Sequence, residues 1–277
     1  MHTFDCHGGL SMENALLDEL ITNPAAETVR RKYAAWLAAQ GDLRSEYLLA
    51  ELDWVRTRQQ LAEERLRNLA APLDPVWVAR VSRPPLGACA DHLRFCGYPR
   101  PKIEARHLDW IQTRFRLTLP ADYRAFLLNH NGGFPDPAHF RVPGQNYDEG
   151  GYELQGMLMG VLYPEEMEND NDGDLAFRLQ FLEEVRDNEA VYRDESLRWR
   201  GHPHRDLMVV GYSSPYDELS WLCLGCRGDV LGQVFYVAPW LQEAQSPDYC
   251  FVAPTFATFL GMLTDSGAAG RVTAGGA

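Results

Sequence analysis

From Asn14 to Leu69, apolar residues return every three or four positions, the spacing that lines one face of a helix. Leu16, Leu17, Leu20 and Ile21 form the first stripe, and Asn23-Pro24 breaks it. Val29, Tyr33, Trp36 and Leu37 form the second, within Thr28–Ala39. After the Gly41-Asp42 turn, Tyr47, Leu48, Leu52 and Val55 begin a third helix, expected from about Ser45 to Leu69. Residues 11–70 therefore read as a small all-helical unit. Prolines at 72, 75, 84, 85, 99 and 101 dominate the next stretch, which reads as a linker from 71 to 102 with few core contacts.

The pattern resumes with IEARHLDWIQTRF (103–115) and LPADYRAFLLNHNGG (119–133). Pro120 suits the start of a helix, where its missing N–H has no partner to lose. Tyr123, Phe126 and Leu127 line one face, and Asn131, Gly132 and Gly133 supply left-handed backbone to stop it. Apolar runs in Tyr152–Leu162 suggest two short strands or a hairpin about Gly156, and Leu175, Leu179, Leu182 and Val185 return to helical spacing. Short apolar runs then predict strands at Leu207–Tyr212, Leu219–Leu224 and Gln233–Val237, separated by the turn sequences SSPYDE and GCRGDVLG. Thr255–Leu263 closes the pattern as a helix, and the Gly/Ala-rich tail 265–277 is expected to be disordered. The order predicts an α+β domain over 103–264, with helices against a largely antiparallel sheet.

Two segments also resemble known families. Leu119, Pro120, Tyr123, Phe126, Leu127, Asn131, Gly132 and Gly133 match the opening motif of the SUKH superfamily. Gly232-Gln233-Val234-Phe235-Tyr236 and Thr255-Phe256-Ala257-Thr258-Phe259-Leu260 match its later landmarks in order, so the resemblance spans about 101–264. That superfamily includes a fungal cell-wall assembly regulator and bacterial immunity proteins. Residues 14–54 are similar to a short bacterial repeat-companion domain through Tyr33, Trp36, Leu37, Gly41, Asp42, Arg44 and Glu46, departing from it at Ala35. This second resemblance implies an accessory or targeting role and no chemistry.

Charge sharpens the functional reading. The chain of 277 residues carries 39 acids against 26 bases, a formal net charge of −13. Phosphate neutralisation needs clustered Lys and Arg, so a nucleic-acid surface is not expected. Residues 1–100 hold 12 bases and 13 acids, a net of −1, which leaves −12 for residues 101–277. Within 148–189 alone stand 13 acids against Arg178 and Arg186, a net of −11 in 42 residues. Asp148, Glu149, Glu165, Glu166, Glu168, Asp170, Asp172 and Asp174 lead this set, interleaved with Tyr147, Tyr152 and Tyr163. Acids accelerate encounter with a basic partner, and tyrosines offer large contact area with a polar tip. These acids with Tyr152 and Tyr163 are the candidate partner-binding residues.

Candidate chemistry is sparse. Glu168 to Asp174 resembles part of a calcium loop, but its twelfth position is Leu179 where a bidentate Glu is required. Cys223-x2-Cys226 lies at a strand end rather than a helix N-terminus, and no second such pair exists. Cys89, His92 and Cys96 have no recognised zinc spacing, and His202-x-His204 lacks a neighbouring third ligand. No Gly-x-Ser-x-Gly, His-Glu-x-x-His or phosphate-binding Gly loop is found. Neither an enzyme nor a cofactor is expected. The N-terminal sequence has no basic start followed by an apolar core, six cysteines form no disulfide framework, and the longest apolar run, 154–164, is too short to span a bilayer. A cytoplasmic setting with no membrane contact is expected. The SUKH resemblance implies a non-catalytic protein that binds and neutralises a toxin, such as a basic nuclease; the alternative is a regulatory or scaffolding module with no toxin partner.

Overall fold

The computed structural model describes residues 6–96, 102–142, 152–153, 158, 206–213, 220–237 and 249–265. α1 (Cys6–Thr22), α2 (Glu27–Ala38), α3 (Arg44–Thr57) and α4 (Gln60–Ala70) make the helical unit. Their stripes meet in one buried cluster that includes Leu16, Leu20, Tyr33, Leu37, Tyr47, Leu48, Trp54 and Leu66. The expected third helix is in fact two. The chain turns at Arg58, whose backbone is left-handed (φ 52°), an uncommon state for a side chain with a Cβ. Its guanidinium lies 4.3 Å from the centre of the Trp54 ring, a cation–π contact that offsets part of that cost.

The stretch 71–102 is not the sparsely packed linker its prolines suggest. Asp74 accepts a hydrogen bond from the Val76 N–H (3.0 Å), so the Asp-Pro pair starts α5 (Pro75–Val81) instead of breaking a helix. Trp77, Val81 and Cys89 enter the helical cluster, whereas Ala79, Ala88, Ala90 and Leu93 enter a second core. β1 (Arg94–Cys96) then pairs antiparallel with β2 (Phe134–Asp136). The expectation of few core contacts is corrected: this segment is shared between two cores because apolar residues lie on both of its sides.

α6 (Ala105–Phe115) and α7 (Ala121–His130) follow. Glu104 and His107 cap α6 reciprocally, which satisfies two otherwise orphaned backbone donors. Asn131 ends α7 in left-handed backbone (φ 47°) and its N–H donates to the Leu127 carbonyl at 2.8 Å. Gly133 follows at φ 131°, where an added Cβ would stand 3.3 Å from the Cys96 carbonyl oxygen, so the stop also lets β2 approach β1.

β3 (His139–Phe140) pairs with β4 (Tyr152–Glu153), and β5 (Leu207–Ser213), β6 (Ser220–Gly225), β7 (Val234–Val237) and β8 (Tyr249–Ala253) form an antiparallel meander in that order. The architecture is α+β. Pairing of Trp221 with Val237, Leu222 with Tyr236 and Cys223 with Phe235 fixes which side chains share a face. Met208, Leu222, Leu224, Val234, Tyr236 and Val252 face the core with α7 and α8 (Phe256–Met262). Leu207, Cys223, Phe235 and Val237 line the opposite face and are buried as well. A strand buried toward both sides reads as a continuous apolar run rather than an alternating one, as VFYV of β7 shows. The β6–β7 turn is equally tight: an added Cβ at Gly225 would stand 1.8 Å from the Val230 carbonyl oxygen.

Candidate functional site

Of the candidate partner-binding residues, only Tyr152 falls in the described residues, at the start of β4 opposite Phe140. Asp148, Glu149, Tyr163, Glu165, Glu166, Glu168, Asp170, Asp172 and Asp174 lie outside them. So do Tyr147, the helical spacing at Leu175–Val185, and His202 and His204. The anchor points around the acidic stretch are described. Glu153 pairs with His139, whose backbone exchanges hydrogen bonds with Thr264 just past α8. Leu158 bridges to Gly133 on one side and to Gly211 of β5 on the other, and is itself fully buried. The chain re-enters the described fold at Asp206, beside Leu207 at the start of β5. Gly211, which Leu158 faces, and Leu207 stand four residues apart on β5, or about 13 Å at strand rise.

The residues that carry the sequence motifs gather elsewhere. Tyr123 meets Phe256 edge-on with ring centres 4.9 Å apart, Phe126 meets Phe256 at 5.1 Å, and Phe140 lies 5.4 Å from Phe259 and 5.9 Å from Tyr236. All are buried. The motif thus encodes one aromatic core joining α7, β3, β7 and α8, and none of its rings is available to a ligand. Asp122 completes the joint. Its Oδ1 accepts from the Tyr123 N–H (2.9 Å) and its Oδ2 from the Ala257 N–H (2.8 Å), tying the first turn of α7 to that of α8. Burial raises the Asp122 carboxyl above its ordinary range, and these donors offset only part of that rise.

The other candidate ligands are dispersed. Cys223 lies on the outer face of the sheet and Cys226 in the main core, and burial pushes both thiols up to about 12, the reverse of what a nucleophilic or redox thiol needs. Cys89 is buried in the helical cluster, Cys96 is exposed on β1, and the His92 ring makes a hydrogen bond with the Leu260 carbonyl (3.1 Å). Among the described residues, no group of three or more His, Cys, Asp or Glu is placed to hold a metal ion. His130, half-buried at the end of α7, is a further titratable group. Its ring stacks 4.4 Å from Phe95, and desolvation lowers its pKa to about 4 despite a hydrogen bond to the Ala88 carbonyl.

Helices packed on an antiparallel sheet, with the aromatic motif residues in the core between them, define an α+β domain. The sequence profile of the SMI1 / KNR4 family (SUKH-1) matches residues 102–262, and the chain belongs to that family. No curated protein and no solved structure matches the chain. The family is one of protein-interaction and immunity-type domains, generally non-catalytic. Among the described residues, no helix is long and apolar enough to cross a membrane.

Proposed function

We propose that this chain is a non-catalytic immunity protein of the cytoplasm that binds and neutralises a toxin domain through its acidic segment. The observation that carries the reading is the net charge of −11 in residues 148–189, concentrated in one stretch of the sequence. Glu165, Glu166, Asp170 and Asp172, with Asp148, Glu149, Glu168 and Asp174, steer a basic partner, while Tyr152 and Tyr163 act as packed anchors. A nuclease suits this role because a site built for nucleic acid is itself basic.

The test is association kinetics against a toxin domain encoded beside this chain, at two ionic strengths. Reversing Glu165, Glu166, Asp170 and Asp172 to Lys should slow association on the order of ten-fold at low salt and flatten its salt dependence, because exposed charges act on encounter and are screened within about 8 Å at physiological salt. Tyr152→Ala or Tyr163→Ala should instead speed dissociation. An unchanged association rate after all four reversals returns the segment to a solubility role. A regulatory or scaffolding module is the second reading, favoured by the helical unit, which supplies a further surface in the same chain.

A further inference from the structure

Three charged side chains lie in the interior where helices α2 and α3 meet the segment after α5. Arg30 and Glu51 are 0 % exposed and Arg83 is 4 % exposed. Arg30 Nη1 stands 3.2 Å from Glu51 Oε2 and donates to the Val81 carbonyl (2.5 Å). Arg83 Nη1 stands 3.2 Å from the same carboxylate oxygen, its backbone N–H donates to Glu51 Oε1 (3.2 Å), and its Nη2 donates to the Pro24 carbonyl (2.8 Å). Asp91 Oδ2 lies 2.8 Å from Arg83 Nε but off the N–H direction, an ion pair rather than an aligned hydrogen bond. Two cations thus face two carboxylates, and the cluster is neutral.

Such a cluster is poorly explained as a source of stability. Desolvation of buried charges consumes most of their attraction, and well-packed apolar groups of the same volume are often as stable or more so. Arg30 Nε adds to the cost, being buried with no hydrogen-bond acceptor. Direction is what charges supply and apolar contacts do not, since hydrophobic burial tolerates many arrangements of similar area.

The cluster sits where direction matters. Segment 82–93 carries Arg83 and Asp91, and it is seated on the family domain by Ala88, Ala90 and Leu93 in its core. His92 contacts the Leu260 carbonyl of α8, and Pro84 presses on Gly261, where an added Cβ would stand 3.0 Å from the Pro84 Cβ. Glu51, buried in α3, grips that segment from the helical side through both the backbone and the side chain of Arg83. We propose that Arg30, Glu51, Arg83 and Asp91 form an ionic clasp that fixes the orientation of the helical unit on the SUKH-1 domain. The helical unit is then a fixed part of whatever surface the protein presents, and not a tethered module.

The test uses the full chain carrying Cys6→Ser and Cys96→Ser, with spin labels at Leu61→Cys on α4 (77 % exposed) and Arg106→Cys on α6 (side chain 66 % exposed). Pulsed electron–electron resonance on this parent should give one narrow distance distribution. Adding Arg30→Met, Glu51→Leu and Arg83→Met together should leave the urea midpoint near the parent's while widening the distribution at least two-fold. An unchanged width overturns the clasp and leaves orientation to apolar packing and to the Arg80–Asn129 hydrogen bonds between α5 and α7. Glu51→Gln is the milder second arm, judged by the same widening with helix content retained in circular dichroism. A third measurement needs no substitution in the cluster: hydrogen exchange of the unlabelled protein should show the slowest amides of α2 and α3 opening at the same rate as those of α6 and α7. Protection more than a hundred-fold lower in α2 and α3 alone would overturn it independently.

Discussion

The helical unit and the SUKH-1 domain bury similar kinds of helix in different ways. In the SUKH-1 domain the interior is aromatic and aliphatic, with rings of Tyr123, Phe126, Phe140, Phe256 and Phe259 in mutual contact. In the helical unit large polar groups reach inward and are matched there. Tyr33 Oη bonds Glu13 (3.0 Å) and the Trp77 indole N–H (3.2 Å), Tyr47 Oη bonds Ser82 (2.6 Å), and Arg44 joins Glu13 to Asp42. Burial and its carboxylate neighbour keep the Tyr33 hydroxyl protonated up to about 12. Two of these bonds run from α2 and α3 out to α5 and to Ser82. The lesson is that the domain core makes the fold stable, whereas the polar interior of the helical unit ties it to a particular neighbour.

The severest way to break this comparison is to remove the shared segment. A fragment of residues 99–277 loses α5, β1 and the buried Ala79, Ala88, Ala90 and Leu93, so it should show no cooperative thermal unfolding in calorimetry, although the family match begins at residue 102. A sharp melt from that fragment would show that the family region closes its own core. Next in size is Phe126→Ala, which should cost about 3 to 5 kcal/mol in urea unfolding, with Leu127→Ala at about 2 to 5, because each leaves a cavity in a closely packed core. A loss below about 1 kcal/mol at both positions would contradict the placement of α7.

A pH experiment sharpens the same contrast. His130 has a folded pKa of about 4 against an ordinary 6.5, so the unfolded chain takes up the proton first. Its contribution is present above pH 6.5 and is lost as pH falls from 6.5 toward 4, by roughly 3 kcal/mol at most. Asp122 acts oppositely, since its folded pKa is raised and the folded state holds its proton more tightly. The difference between the wild type and His130→Gln in urea unfolding at pH 7 and pH 4.5 isolates the histidine, and the variant should lose less stability on acidification. Equal losses would mean that His130 is solvated. The smallest effect is expected from Tyr47→Phe, about 1 kcal/mol, because Ser82 Oγ keeps its bond to the Val78 carbonyl (2.6 Å) when the tyrosine hydroxyl is gone.

Some misreadings in the sequence have identifiable causes. Prolines were weighed as helix breakers at 71–102, yet Asp74 before Pro75 is a helix-start pair, and that signal was present to be read. β8 went unread although Tyr249–Ala253 is a short apolar run bounded by Pro247 and Pro254. The division of α3 from α4 had no such signal. Arg58 is neither Gly nor Asn, and only the Trp54 ring beneath its side chain accounts for the turn. The acidic segment was legible as charge alone, because spacing in sequence says nothing about which side chains converge.

What the sequence determined by itself is whatever local chemistry enforces. The Asn131-Gly132-Gly133 stop follows from backbone sterics, and the order of helices and most strands follows from hydrophobic period. The fate of a charged side chain is a different matter. Arg30 stands in the run Arg30-Arg31-Lys32, and although helical period sets it on the side of Tyr33 and Leu37, nothing nearby in sequence names a partner that could neutralise it there. Arg31 is 60 % and Lys32 62 % exposed, whereas Arg30 is sealed inside against Glu51, the Val81 carbonyl and Cys89. The tertiary structure alone decided this, because a buried charge is tolerable only where partners distant in sequence have already been brought within reach.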